Sequence, residues 1–421
     1  MKSILEIYVS KLSLMAITFL ANIIIARQLG PDGVGSYAVV MATSILLYSV
    51  LSFGLDASLI YYSSRNPKSL KNLITISVTY SAIVVSIAGA ALSIASFYGI
   101  YSSPDSAYML SAMTATLLQS FVISIKIGQG SLSLVNKWLI ITNLLSLALI
   151  IIISRVSVLN YHDAIVIYSF SCITFSVTAI TLELLKNKNK VTDKIHIKTL
   201  FSYSLRSYLG NLSGTLRIRL PIIIISAHLT LHETGIYSAA QTLTESFYVL
   251  PVILGSLLIS KLPHQTTTGK VTTTIQHAKL AFVTSTVSIV TFNLASEYII
   301  MAAYGISFQP AQKIALILSC SVIFYSTTKV LSSYFMGIGK PEINSILELL
   351  ALTLCTALLL YLTPKYGLAG AAYSVLISFL TMFLMTVFLF KKITKAKIIN
   401  LFIVSNHDIR LAKDFIFGKL R

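Results

Sequence analysis

Residues 20–48 read LANIIIARQLGPDGVGSYAVVMATSILLY, and residues 220–248 read LPIIIISAHLTLHETGIYSAAQTLTESFY. A shift of 200 residues aligns the two stretches and their flanks without a gap. The residues Tyr8, Leu12, Ser13, Leu20, Ile23, Ile24, Ile25, Leu29, Gly35, Tyr37 and Tyr48 recur as Tyr208, Leu212, Ser213, Leu220, Ile223, Ile224, Ile225, Leu229, Gly235, Tyr237 and Tyr248. Internal repeats in a membrane protein are typical of transporters, whose substrate path lies between the repeats. The pattern therefore predicts a transporter with two similar halves.

The composition excludes an ordinary soluble protein. Hydrophobic residues make up 55% of the 421 positions and charged residues only 11%, against ~25% charged residues in a typical soluble domain. A helix needs about 20 apolar residues to cross the bilayer. Twelve such spans are predicted, at residues 5–26, 34–61, 73–97, 107–127, 138–154, 163–185, 202–228, 235–260, 279–303, 311–336, 343–363 and 369–390. The sequence thus predicts an all-α integral membrane protein.

Lysine and arginine are concentrated at alternate ends of the predicted spans. Because loops that carry many such residues stay in the cytoplasm, both termini are predicted to be cytoplasmic. The net charge of +18 is explained by this bias and by contact with anionic membrane lipid, so no nucleic-acid partner is predicted. Cys172, Cys320 and Cys355 all lie within predicted spans. They indicate neither a disulfide nor a metal site, and the histidines in loops and in the tail are predicted to be isolated and solvated.

Basic side chains outnumber acidic ones within the spans. An ionisable group near the bilayer centre costs ~2.5–3.5 kcal/mol on insertion scales, so each one needs a partner or a role. The basic residues are Lys11, Lys126, Arg206, Arg217, Arg219 and Lys329, and the chief acids are Asp56, Glu245 and Glu348. A cationic interior suits an anionic substrate, and the planar fork of arginine suits phosphate in particular.

Helical spacing places these charges in polar stripes, because residues three, four or seven apart share a helix face. The stripes are Lys11, Thr18 and Asn22; Gln119 and Lys126; Arg206, Gly210, Ser213, Gly214 and Arg217; Gln241, Glu245 and Tyr248; and Gln312, Ser319, Ser326, Lys329 and Ser333. Lipid cannot satisfy polar groups, so the stripes are predicted to face protein or water. Their serines and glycines are more typical of helix packing than of ligand binding.

Two interpretations of the charged residues stay open. The three basic residues nearest to helix ends, Lys11, Lys126 and Arg206, either line a cavity or extend to the cytoplasmic interface. Arg217 and Arg219 lie more than a turn from either end of their span, and Lys329 lies two turns from an end, which favours cavity lining. Glu245 either takes part in ion coupling or pairs with an arginine.

Residues 25–38, which read IARQLGPDGVGSYA, resemble the Ala-Arg-x-Leu-Gly-Pro-x-x-x-Gly-x-Tyr motif of bacterial polysaccharide biosynthesis flippases. Residues 53–55, 337–341 and 366–372 are similar to other landmarks of that family. The resemblance covers about residues 1–392, and in it Gly30 and Gly35 permit the turn between the first two helices. These flippases, which include the O-antigen flippases, belong to the multidrug/oligosaccharidyl-lipid/polysaccharide exporter superfamily.

The resemblance implies two six-helix lobes around a central cavity. It divides the chain into an N-terminal lobe at 1–185, a basic cytoplasmic linker at 186–201, a C-terminal lobe at 202–392 and a cytoplasmic tail at 393–421. The tail is either an interfacial helix or disordered.

The implied activity is translocation of an undecaprenyl-diphosphate-linked oligosaccharide, such as an O-antigen repeat unit of lipopolysaccharide, from the cytoplasmic to the periplasmic leaflet of the inner membrane. The six basic residues are expected to bind the diphosphate, whereas the three acids are candidates for coupling to H⁺ or Na⁺ or for charge pairing. Contact with polysaccharide assembly proteins is a further expectation. Neither a cofactor nor a catalytic residue is predicted.

Two other functions compete with this one. A cation-coupled multidrug exporter of the same fold would hold acids in its cavity, whereas basic residues predominate here. A membrane-embedded glycan polymerase or ligase needs a substantial external loop with catalytic residues, and the longest external connection is only about ten residues long.

Overall fold

The computed structural model describes residues 2–99, 103–186, 193, 195–262 and 266–396. No strand occurs within these ranges, and most of their residues are helical. The helices are α1 (Lys2–Leu51), α2 (Leu55–Arg65), α3 (Leu70–Phe97), α4 (Ser103–Gly128), α5 (Leu132–Val156), α6 (Tyr161–Lys186), α7 (Ile197–His228), α8 (Leu231–Glu245), α9 (Val249–Lys261), α10 (Thr267–Tyr304), α11 (Ala311–Gly337) and α12 (Pro341–Thr394). The predicted all-α class is confirmed.

Nine helical segments of the described chain are long and apolar enough to cross a membrane. Two of them, within α1 and α12, each contain a bend that joins two of the predicted spans. The predicted span 202–228 corresponds to α7, which is not among the nine segments. Its two arginines at 217 and 219 lower its hydropathy. With the bent helices counted as two spans each and α7 added, the structure accounts for all twelve predicted spans.

The bend in α1 lies at Gly30, which has φ 63° and ψ −179°. This combination is open essentially to glycine alone. Pro31 follows it, and proline fits the first turn of a helix because the N–H that it lacks would be unpaired there. The predicted role of Gly30 in the turn between the first two spans is therefore confirmed. Gly367 bends α12 in the same way, with φ 58° and ψ −141°.

The second predicted span, 34–61, is wrong in one respect, because the helix stops at Leu51 and resumes at Leu55. Phe53 and Gly54 have φ values of 45° and 68° and interrupt it. The interruption frees backbone carbonyls that water cannot reach in a membrane. Two tyrosine hydroxyls satisfy them, since Tyr208 donates to the carbonyl of Val50 at 2.7 Å and Tyr80 donates to that of Leu51 at 2.6 Å.

The eighth predicted span, 235–260, is also interrupted. A 3₁₀ turn at Ser246–Tyr248 separates α8 from α9. Pro251 lies just after this turn, and its ring would collide with the carbonyl four residues earlier in a regular helix. Pro221, by contrast, lies within the continuous α7.

The chain forms two compact units, of which one spans Lys2–Thr215 and the other begins at Leu216. The core of the N-terminal unit includes Leu55, Leu59, Leu73, Met113, Leu117 and Phe121. The core of the C-terminal unit includes Leu254, Leu258, Leu331, Phe335 and Phe390. Along the chain, the boundary between the two units lies within α7, and the predicted linker 186–201 stays a prediction. Residues 187–192 and 194 of that linker, and 397–421 of the predicted tail, lie outside the described residues.

Replacement of Gly30 by alanine should destabilise the protein. A side chain at this φ and ψ costs about 1–3 kcal/mol, so we expect a lower midpoint of thermal unfolding for the purified protein in detergent. The control is Ser36→Ala, which removes only a 3.2 Å hydrogen bond to the carbonyl of Asp32 and should change stability by less than about 0.5 kcal/mol. Equal midpoints for wild type and Gly30→Ala would show that the bend is not strained.

Candidate functional site

Charged residues of α7, α8 and α12 lie together in the C-terminal unit. We define the arginine–glutamate cluster as Arg217, Arg219, Gln241, Glu245 and Glu348. The two arginines are two residues apart on α7, so they point to different sides of that helix. Each of them pairs with a different glutamate.

Arg217 is the most deeply buried member, with a side-chain exposure of 3%. Its Nε and Nη2 atoms both donate to Oε2 of Glu348, at 3.2 and 2.9 Å. The guanidinium also lies over the ring of Phe379, 4.1 Å from its centroid. Its Nη1 atom is buried and has no hydrogen-bond partner among the described residues. Both N–H donors of Nη1 are therefore unsatisfied among the described residues, which is costly for a buried cation.

Arg219 is more exposed, and its ion pair is looser. Its Nη1 atom lies 3.6 Å from Oε1 of Glu245, and the side chains are 29% and 27% exposed. Gln241 braces the glutamate, because its amide donates to Glu245 at 2.5 Å and to the carbonyl of Ile218 at 3.0 Å. The Arg219–Glu245 ion pair thus joins α7, at the start of the C-terminal unit, to α8.

Aromatic rings lie beside this cluster. The rings of Tyr248 and Tyr325 are 4.1 Å apart, and Phe379 lies 5.7 Å from Tyr325. Helical spacing placed Tyr248 on the same predicted stripe as Glu245, but neither of the other two rings was predicted. Tyr325 lies four residues before Lys329 on α11, which was the available signal, whereas nothing in the spacing identifies Phe379.

In the N-terminal unit, Lys126 forms an ion pair with Glu183 of α6. Gln129 donates to the second oxygen of the same carboxylate at 3.0 Å. Glu183 was not among the predicted site residues, because it lies near the end of its predicted span. A crevice beside the pair has a volume of about 20 Å³, which is room for a water molecule and not for a sugar.

Asp56 lies in the first turn of α2, directly after the interruption at Phe53 and Gly54. Its carboxylate accepts hydrogen bonds from Tyr48 at 2.8 Å, from Ser120, and from Ser124 at 3.3 Å. No basic side chain of the described chain pairs with it. The helix N-terminus and the hydroxyl groups therefore supply the stabilisation of this carboxylate.

The remaining predicted site residues are not part of these clusters. Lys11 is half-buried and Lys329 is exposed, and neither forms an ion pair with a described residue. The backbone of Arg206 lies in α7, but its side chain is outside the described part of the structure. The structure therefore brings Arg217, Arg219, Glu245 and Glu348 together, while Lys126 and Asp56 have separate surroundings in the other unit.

The serines of the α11 stripe have packing contacts. Ser319 donates to Asn293 at 3.0 Å, and Ser326 accepts a hydrogen bond from Ser285 at 2.6 Å. Both serines are fully buried, whereas Lys329 of the same predicted stripe is exposed. The alternative of helix packing accounts for these serines.

His162 is not isolated, contrary to expectation. Its ring stacks 4.3 Å from that of Tyr108 and lies 3.9 Å from that of Tyr161, and its Nε2 atom is 3.5 Å from Asp105. The described residues contain no group of three or more His, Cys, Asp or Glu side chains that could hold a metal ion.

Several solved structures share this fold. An inward-facing multidrug resistance MATE family transporter of the MOP superfamily superposes with a TM-score of 0.70 at 12% identity, covering 91% of this chain and 94% of that one. The lipid II flippase MurJ, in an inward closed conformation, gives a TM-score of 0.70 at 12% identity over 99% and 93% of the two chains. A MOP superfamily transporter from Pyrococcus furiosus gives 0.66 at 15% identity over 94% and 97%. The TM-scores establish a shared fold.

No curated protein sequence matches the chain. The family model of the polysaccharide biosynthesis proteins matches residues 1–260. That stretch contains the motif at residues 25–38 and both copies of the internal repeat, while the resembling segments at 337–341 and 366–372 lie beyond it. Because the match extends over more than half of the sequence, this chain belongs to the polysaccharide biosynthesis protein family.

Proposed function

We propose that this protein is a flippase for an undecaprenyl-diphosphate-linked oligosaccharide, with an O-antigen repeat unit as its cargo. It moves the lipid from the cytoplasmic to the periplasmic leaflet of the bacterial inner membrane by alternating access, and it has both termini in the cytoplasm. Membership of the polysaccharide biosynthesis family and a fold shared with a lipid II flippase support a lipid-linked cargo. Contact with polysaccharide assembly proteins belongs to the same proposal.

The observation that carries this proposal is the buried, incompletely bonded guanidinium of Arg217. A diphosphate offers several acceptor oxygens to a planar fork of donors. The Nη1 atom of Arg217 has no partner among the described residues, so an added phosphate oxygen would satisfy a group that is otherwise left without a bond.

Glu348 gives this site a means of release. The arginine–glutamate cluster balances two positive charges with two negative ones, so a bound diphosphate must compete with the carboxylates for the arginines. A transport site has to bind its substrate weakly enough to let it leave. Because an unpaired buried charge is strongly unfavourable, the return of Glu348 to Arg217 favours departure of the phosphate.

The coupling ion belongs to the same proposal. Asp56, Glu245 and Glu348 remain the acids proposed for coupling to H⁺ or Na⁺. Two of them are held by arginines, whereas Asp56 is surrounded by hydroxyl oxygens, which are the kind of ligand that hard cations prefer. Lys11, Arg206 and Lys329 remain proposed contacts for the diphosphate, while the Glu183 pair gives Lys126 an internal partner instead.

Loss of Arg217 should abolish clearance of the lipid-linked repeat units. In a host that lacks the gene, wild type should restore surface polysaccharide, whereas Arg217→Ala should leave the repeat units accumulated. Truncation of one member of a buried charge pair costs about 2–5 kcal/mol, which is about thirtyfold or more in binding. The measurement is the cellular pool of lipid-linked repeat units, with expression checked, and Lys329→Ala should show a partial defect.

Arg155→Ala is the matched control, because Arg155 is exposed and its loss should leave clearance intact. Arg217→Lys keeps the positive charge and is a second variant in case Arg217→Ala does not fold. Because lysine lacks the planar fork of donors, this variant should clear the lipid-linked repeat units poorly. Surface polymer that persists without the gene, together with sensitivity to cationic drugs, would instead indicate the multidrug exporter. Retained flipping with loss of polymerisation or attachment would indicate the glycan polymerase or ligase.

Replacement of Glu348 by glutamine should strengthen binding of inorganic pyrophosphate to the purified protein. Glutamine removes the competing charge and keeps the side-chain shape, so the affinity should rise about five- to thirtyfold, equivalent to ~1–2 kcal/mol. Isothermal titration in detergent measures it. Glu297→Gln, at an exposed position of α10, should bind as wild type does. Weaker binding by Glu348→Gln would contradict the competition between carboxylate and phosphate.

A further inference from the structure

The last turn of α2 carries an aromatic and cationic group that the proposed site does not include. The guanidinium carbon of Arg65 lies 4.7 Å from the ring centroid of Tyr61. Tyr203 of α7 stacks on Tyr61, with centroids 4.4 Å apart and an interplanar angle of 25°. Tyr62 meets Tyr61 edge-on at 5.0 Å. We call Tyr61, Tyr62, Tyr203 and Arg65 the tyrosine–arginine cluster, and all of it lies in the N-terminal unit.

The packing of α2 turns part of this cluster outward. Ser63 is buried, and a Cβ atom on Gly128 would collide with it, so this side of α2 packs closely against α4. Residues two positions away lie on the opposite side of a helix. Tyr61 and Arg65 are each two positions from Ser63, and they therefore face away from α4. Tyr61 and Tyr203 are half-buried, and Arg65 is exposed.

The polar atoms of the cluster are unused within the described chain. Neither the hydroxyls of Tyr61 and Tyr203 nor the guanidinium of Arg65 bonds to a described residue. Other tyrosines of the same unit donate a hydrogen bond to a protein acceptor, namely Tyr48, Tyr80, Tyr161 and Tyr208. The exposed Lys68 follows Arg65 by three residues and also has no acidic partner there.

These groups match a sugar that is attached to a phosphate. An aromatic ring packs against the C–H face of a pyranose, and phenol hydroxyls bond to sugar hydroxyls as donors or acceptors. The guanidinium binds phosphate oxygens. A tyrosine that only anchors a helix at the membrane interface needs no stacked partner, whereas here two rings and a cation adjoin one another.

We propose that the tyrosine–arginine cluster binds the sugar–diphosphate portion of the lipid-linked oligosaccharide on the side predicted to be cytoplasmic. Tyr61 and Tyr203 contact the sugar next to the diphosphate, and Arg65 contacts the phosphate. The inference rests on the proposed function, because it takes the same cargo. The tyrosine–arginine cluster would be a separate surface that binds the carbohydrate, in the unit that does not contain Arg217.

The test compares two lipids on the full-length protein in nanodiscs. One is the undecaprenyl-diphosphate-linked oligosaccharide extracted from the host, and the other is undecaprenyl diphosphate without sugar. Tyr203→Ala should weaken binding of the glycosylated lipid about three- to tenfold and leave binding of the sugar-free lipid unchanged. Tyr203→Phe keeps the ring and should lose less. Tyr366→Ala, at an exposed tyrosine of α12, is the matched control.

The outcomes separate this inference from the proposed function. Wild type that binds neither lipid would overturn the proposed function and this inference with it. Suppose that wild type prefers the glycosylated lipid and that Tyr203→Phe and Tyr61→Phe both fold. If Tyr203→Ala is then as selective as wild type, the inference alone is overturned. Equal weakening of both lipids by Tyr203→Ala would indicate a headgroup contact that any anionic lipid satisfies, and would also overturn it.

Discussion

The cost of an unpaired charge in apolar surroundings organises the polar interior of each unit. A buried ion loses several kcal/mol of hydration, and a partner must return most of it. Lys126 and Glu183 therefore join α4 to α6, while Arg217 and Glu348 join α7 to α12. Any anion that binds Arg217 would have to compete with Glu348. In the proposed transport site this competition would favour release, because Glu348 pairs with Arg217 again when the anion leaves.

The same constraint applies to the backbone where helices bend or stop. Gly30 and Gly367 bend their helices through φ and ψ values that other residues avoid. At the interruption after Leu51, side chains replace the missing helical bonds, since Tyr208 and Tyr80 supply hydroxyl donors from α7 and α3. Polar side chains in this protein thus satisfy backbone groups as well as one another.

The sequence predicted the elements that depend on local patterns. Apolar length identified the spans, and the motif that contains Gly30 predicted a turn between the first two helices. The interruption at Phe53 could not be predicted, because a positive φ at phenylalanine depends on packing, here against Tyr208 and Phe201. Helical spacing showed that Arg217 lies on a polar face, but not that Glu348 is its partner, since neighbouring helices far apart in sequence leave no periodic signal.

The interruption of the second span has a consequence for rotational phase. In a continuous helix, every side chain has a direction that follows from those before it. The left-handed residues Phe53 and Gly54 remove that dependence, so the direction of Asp56 follows from the turn that they form and from the hydrogen bond that Tyr48 of α1 donates to it. Positions before Ser52 and after Gly54 are accordingly not related by a spacing of three or four residues, and Tyr48 and Asp56, which bond across the interruption, are the pair in which a substitution on one side affects the other.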